Sequence, residues 1–144
     1  MSALVNHPGM RILASESAGF DWALARDVTA RLLGVHPDAD TVLALNDEMA
    51  LGAITALEKA GRLASFRVLG VNGTPDGLTA IKGGKLAATV DYALYAIVRR
   101  AMELAVRHLN GERLDEQVVL LPTRVFDPTN IDEAIAERHS WGLM

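Results

Sequence analysis

Two apolar runs, Thr41–Leu45 and Arg67–Val71, each end on an asparagine followed at once by a helix-opening sequence. The first continues as Asn46–Asp47–Glu48–Met49–Ala50–Leu51–Gly52, the second as Asn72–Gly73–Thr74–Pro75–Asp76–Gly77. Continuous apolar runs, rather than alternating ones, mark parallel strands buried on both faces. Asp47 is a good N-cap for the helix after the first run. Thr74 can cap the second, where Pro75 suits the first helical turn. In open parallel α/β sheets ligands sit just beyond the carboxyl ends of the strands. Asn46 and Asn72 stand there, with amides that both donate and accept hydrogen bonds. One Asn-Asp pair alone reads more simply as a strand-to-helix turn. A second junction of the same kind is what raises a binding role.

Five runs read as strands: Arg11–Ser15, Thr41–Leu45, Arg67–Val71, Leu86–Val90 and Val118–Val125. Helical stretches lie between them at Asp21–Leu33, Asp47–Lys59, Asp76–Lys82 and Ala93–Leu109, the third ending at Gly83–Gly84. Thr129–Ile131–Asp132 before Ala134–Arg138 has the form of a capping box opening a last short helix. Alternation of strand and helix predicts right-handed βαβ units and a parallel sheet covered by helices. After Val90 the rhythm breaks at Asp91–Tyr92–Ala93, a crossing point between lobes. At the start, Ser2–Pro8 reads as the end of a helix stopped by His7–Pro8–Gly9. The expectation is therefore an α/β unit truncated at its N-terminus.

The 144 residues are enough for one domain with a real core, and half of them are hydrophobic. A net charge of −4 argues against broad nucleic-acid binding, which needs clustered Lys and Arg. With no cysteine, disulfides and thiolate metal sites are excluded. No apolar run approaches a membrane span, and Met1–Met10 lacks the pattern of a signal peptide.

Catalytic patterns are missing. Lys82–Gly83–Gly84–Lys85 is no phosphate loop, because Leu86 stands where Ser or Thr is required. His7, His36, His108 and His139 show no metal-ligand spacing. Ser15, Ser17 and Ser65 lack a nucleophile-elbow context. Asp47 and Glu48 are explained as cap and first-turn charge, Glu112–Arg113 and Asp115–Glu116 as a solvated loop. Trp22 is expected to pack, and Trp141 lies in a tail.

Asn46–Gly52, Gly70–Gly77 (G-V-N-G-T-P-D-G) and Gly84–Val90 (G-K-L-A-A-T-V), in this order and spacing, resemble the second half of the ribose-binding group. These are the sugar-binding components of bacterial ABC importers, with the type I periplasmic-binding fold. The resemblance runs from about Met10 to Phe126. It implies a three-layer, Rossmann-like parallel-sheet lobe. Residues 1–91 would form an incomplete second lobe. Residues 92–144 would carry the hinge crossing, a long helix and a final strand that pack on a first lobe outside this sequence.

The resemblance also implies ligand positions. Phe20 matches an aromatic that packs on the sugar face, where C–H groups stack on rings; its alternative is a core Phe anchoring the next helix. Asn46 matches a ligand-binding Asn. Asn72 falls where the ribose binders carry Asp, and Tyr92 where they carry a hydrogen-bonding Gln, so the sugar or its orientation differs. Tyr92 either bonds a hydroxyl or fills space. The implied ligand is a monosaccharide or polyol, bound without catalysis, cofactor or metal. The implied partners are ABC transporter membrane subunits. Without the first lobe the Ala93–Leu109 face would be exposed, so a homodimer or larger assembly is expected as well, and the charge balance predicts no nucleic-acid partner. The full-length protein would be periplasmic; these residues expressed alone would be cytoplasmic. The runner-up is the effector-binding core of a lactose-repressor-like regulator, which requires a DNA-binding helix-turn-helix outside these residues.

Overall fold

A computed structural model describes residues 6–114, 118–142 and 144. Ser2–Val5 of the expected helix end Ser2–Pro8, and Asp115–Glu116 of the expected loop, lie outside the described residues. In chain order the elements are α1 (Trp22–Val35), β1 (Thr41–Leu43), α2 (Asp47–Lys59), β2 (Arg67–Val71), α3 (Pro75–Lys82), β3 (Ala88–Asp91), α4 (Leu94–Leu109), β4 (Arg124–Phe126) and α5 (Ile131–Ser140). A 3-10 turn, Leu63–Ser65, precedes β2.

The sheet order is β1-β2-β3-β4. β1, β2 and β3 pair in parallel, with Leu43 opposite Leu69 and Leu69 opposite Ala88. β4 runs antiparallel to β3, with Val125 opposite Val90. The sheet is thus mixed, and the expected parallel strand Val118–Val125 shrinks to an antiparallel edge at Arg124–Phe126. Leu86 is buried in the core ahead of its expected strand, which begins at Ala88 and reaches Asp91. Arg11–Ser15 makes no strand. It pairs with no neighbouring backbone among the described residues, and a ladder needs a partner for its N–H and C=O groups.

Side chains of alternate strand residues point to opposite faces. Val68, Gly70 and Thr89 face the helices, and there the core forms from Ile54, Leu57, Val68, Leu78, Ile81, Leu86 and Phe126. Leu57 and Leu78 have no exposed surface. The other face carries Leu43, Leu45 and Val125, all exposed. α1 packs on α2 across Gly52, where a β-carbon would collide with the Trp22 carbonyl oxygen. α4 buries none of its residues, and it leaves Leu94, Ile97, Val98, Met102, Val106 and Leu109 exposed. No described helix is long and apolar enough to cross a membrane.

Two caps differ from expectation. Asn46, not Asp47, caps α2: its Oδ1 accepts from the Met49 N–H at 2.8 Å, and Asp47 is the first helical residue. Asn46 has the extended backbone an N-cap requires, and its side chain reaches N3. At α5, Asn130 holds the cap position without a side-chain cap bond. The expected box fails because Asp127 instead accepts from both the N–H and the hydroxyl of Thr129, closing a local turn. α3 opens as expected, with Thr74 Oγ1 accepting from Gly77 N–H behind Pro75.

Candidate functional site

Asn46 and Asn72 each stand three residues beyond the Leu43–Leu69 pair, at matching levels on adjacent parallel strands. Both are half-buried. The Asn46 side-chain oxygen is engaged by the α2 cap. Asn72 has φ 111°, a left-handed conformation that Asn tolerates better than most residues. Its N–H donates to Val90 O at 2.7 Å, so the Asn72–Gly73 turn is sewn to β3. Tyr92 follows the end of β3 and is 51% exposed. Phe20 sits in the turn before α1 at φ 58°, and is 65% exposed, so it is no core anchor. Asn46, Asn72 and Tyr92 thus share the carboxyl edge of the parallel sheet, whereas Phe20 stands on the approach to α1.

Beneath this edge lies a residue that the sequence presents only as a cap. Asp47 is fully buried. Its Oδ2 accepts from the N–H and the hydroxyl of Thr74 at 2.8 and 3.0 Å, and its Oδ1 from the Thr89 hydroxyl at 2.6 Å. Thr89 Oγ1 in turn accepts from Gly73 N–H at 3.2 Å. Gly70 and Gly77 flank the carboxylate so closely that a β-carbon on either would collide with it. Burial pushes the Asp47 carboxyl up from its ordinary range, against the bonds from Thr89 and Thr74, which favour the charged form. The network ties the Asn46 junction to the Asn72 junction and to β3. Its only sequence signal is two glycines and two threonines scattered along the chain (Gly70, Thr74, Gly77, Thr89).

A second buried carboxylate, Asp91, ends β3. Its Oδ1 accepts from Ala93 N–H at 2.9 Å, and its Oδ2 faces Arg138 at 3.0 Å and Arg124 at 3.4 Å. Neither Asp47 nor Asp91 is open to solvent, and the strand-end side chains Asn46, Asn72 and Tyr92 are uncharged. Such an edge suits a neutral ligand rich in hydroxyls. Among the described residues, no group of three His, Cys, Asp or Glu side chains is placed to hold a metal.

The family model of the periplasmic binding protein domain matches residues 1–113. The ribose import binding protein RbsB of Salmonella typhimurium is 47% identical over 103 residues, 72% of this chain and 34% of that protein. An ABC transporter solute binding protein from Bacillus halodurans, solved with myo-inositol, superposes with a TM-score of 0.88 at 34% identity, over 94% of this chain and 47% of that one. A periplasmic solute binding protein from Actinobacillus succinogenes, solved with D-allose, gives 0.87 at 31% identity, over 92% and 47%. The chain therefore spans about a third of the length of the curated relatives it matches and about half of the solved chains.

Proposed function

Because the chain belongs to the periplasmic binding protein domain family, we propose that it binds a neutral sugar or polyol as part of the solute-binding component of a bacterial ABC importer. The observation that carries this reading is the pair of half-buried amides, Asn46 and Asn72, at one level on adjacent parallel strand ends. Asn46 offers its amide N–H groups, since its oxygen caps α2. Asn72 and the Tyr92 hydroxyl both donate and accept. Phe20 supplies an exposed aromatic face for the C–H side of the ring. An amide at Asn72, rather than a carboxylate, favours a ligand that presents both a donor and an acceptor there.

The activity is binding, not catalysis. Polar side chains replace the water around the sugar, and the first lobe closes over it about a hinge. Residues 1–91 belong to an incomplete second lobe of the binding fold, and residues 92–144 to the crossing, the long helix, the final strand and the tail. The whole protein works in the periplasm and hands its ligand to membrane subunits of the importer. The apolar faces of α4 and the sheet favour self-association when these residues stand alone.

Three or four polar contacts at about 1 kcal/mol each sum to roughly 3–4 kcal/mol. That corresponds to a dissociation constant of about 1 mM or weaker. Titration calorimetry with D-ribose, D-allose and myo-inositol tests the reading. Weak binding of at least one, lost in Asn72→Ala, supports it. No heat with any of the three at tens-of-millimolar concentration refutes it for these ligands.

A further inference from the structure

Arg138 is the largest fully buried side chain, 1% exposed, on a helix that carries none of the strand-end residues. Burying a guanidinium is unfavourable unless its charge is met. Here Nη2 lies 3.0 Å from Asp91 Oδ2, and the group stacks 5.0 Å from the Tyr95 ring, 5.0 Å from Trp141 and 5.7 Å from Phe126. None of its three nitrogens has a well-aligned hydrogen bond among the described residues. The ion pair and the three aromatic faces are what hold it.

The surroundings of Arg138 join two parts of the candidate site. Asp91 is the residue before Tyr92, and its Oδ1 accepts from Ala93 N–H, holding the left-handed Ala93 (φ 55°) that turns the chain into α4. A β-carbon added at Gly73, in the Asn72 turn, would meet Asp91 Cβ at 3.1 Å, Arg138 Nη2 at 3.4 Å and the Phe126 ring at 3.4 Å. One guanidinium thus backs both the Asn72–Gly73 turn and the Asp91–Tyr92–Ala93 crossing. Arg124 adds a second bond across the same place, with Nη2 2.7 Å from Glu137 and 3.4 Å from Asp91.

We propose that Arg138 is a positioning residue. It is a latch on α5 that acts through Asp91 and Gly73 to hold Asn72 and Tyr92 in place at the mouth of the crossing. Its consequence for ligand affinity rests on the sugar-binding reading above; its effect on the backbone does not.

Amide hydrogen exchange on the unliganded chain separates the two. Arg138→Met leaves Asp91 with only the more distant Arg124 as a charge partner and removes the guanidinium behind Gly73. Exchange at Gly73 and Ala93 is expected to speed up about tenfold or more, while the α2 core amide of Leu57 keeps its wild-type protection. Arg138→Lys keeps a charge opposite Asp91 and is expected to restore most of the protection at Ala93. Acceleration that is the same at Leu57 as at Gly73, or none at all, overturns the latch. If Arg138→Met fails to fold, Asp91→Asn combined with Arg138→Met removes the buried charge that has lost its nearest partner. That pair is expected to fold and still lose protection at Gly73; unchanged protection there overturns the proposal. Titration with D-ribose, D-allose and myo-inositol supplies the ligand arm. A several-fold weaker affinity in Arg138→Met, recovered in Arg138→Lys, supports positioning. Equal affinity in wild type and Arg138→Met overturns it. If wild type binds none of the three sugars, the functional reading fails and the exchange result still decides the latch.

Discussion

The Thr89 hydroxyl donates to Asp47 Oδ1 at 2.6 Å, joining the first residue of α2 to the middle of β3 across 42 positions of sequence. Hydrogen bonds to a charged acceptor contribute about 1.5–3 kcal/mol each, and Asp47 accepts three of them from Thr74 and Thr89. The carboxylate is a tie between the Asn46 and Asn72 junctions rather than a helix cap.

That tie makes stability depend on pH. Burial raises the Asp47 pKa above its ordinary 3.8, so the native state holds this proton more tightly than the unfolded chain. Across the window from about 4 up to the raised value, the native state binds more protons, and this group's contribution to stability falls as pH rises. Thr89→Val deletes a bond that favours the charged form and lifts the pKa further. The variant is expected to be less stable by about 1.5–3 kcal/mol at neutral pH. Its deficit is expected to shrink as pH falls through the carboxyl range. Urea unfolding of both proteins between pH 4 and 7 measures the gap; a gap that ignores pH contradicts the account.

Gly77→Ala drives a methyl group into the Asp47 carboxylate, which its three bonds prevent from moving aside. Overpacking of this kind costs about 1–3 kcal/mol. Gly34, inside α1 with no atom near its notional β-carbon, provides the contrast. Gly34→Ala is expected to stabilise by about 0.5–1 kcal/mol, through helix propensity alone. Denaturant midpoints of the two variants should move in opposite directions.

Asn46 serves the fold and, on the proposed reading, the ligand. Asn46→Ala removes the α2 cap and is expected to cost about 1 kcal/mol. Asn46→Asp keeps an acceptor for Met49 N–H but loses the amide donors that face the ligand. It is expected to hold wild-type stability and to bind sugar more weakly. Thermal melts paired with calorimetric titration separate the two roles, and an aspartate that binds as well as wild type removes Asn46 from the site.

α4 exposes six large apolar side chains along one helix. Continuous apolar surface of this kind drives association. Sedimentation velocity is expected to show species larger than a monomer whose share grows with concentration. Paired substitutions Ile97→Glu and Met102→Glu are expected to shift the population toward monomer. A wild-type chain that stays monomeric at high concentration argues against association through this face.

Much of the architecture was readable because it depends on local pattern. Arg67–Val71 and Asp47–Lys59 fall where apolar runs and caps place them, since continuous hydrophobicity and helix-opening residues act within a few positions. The repeated Asn-ended junctions located the carboxyl edge of the sheet for the same reason. Pairing was not local. Arg11–Ser15 has strand composition but no neighbour to bond among the described residues, and Val118–Val125 keeps only its last part, turned antiparallel. A ladder is a property of two segments, and one segment's composition cannot supply the other.

Residues near one another in the chain were enough to dictate the βα order and the two asparagine-ended junctions, because capping and apolar periodicity act over a turn or two. Folding in three dimensions was needed to make Asp47 a buried tie and to bring Arg138 behind Gly73 and Asp91. Those roles arise from burial and charge shared between residues dozens of positions apart, and such distances close only when the core forms.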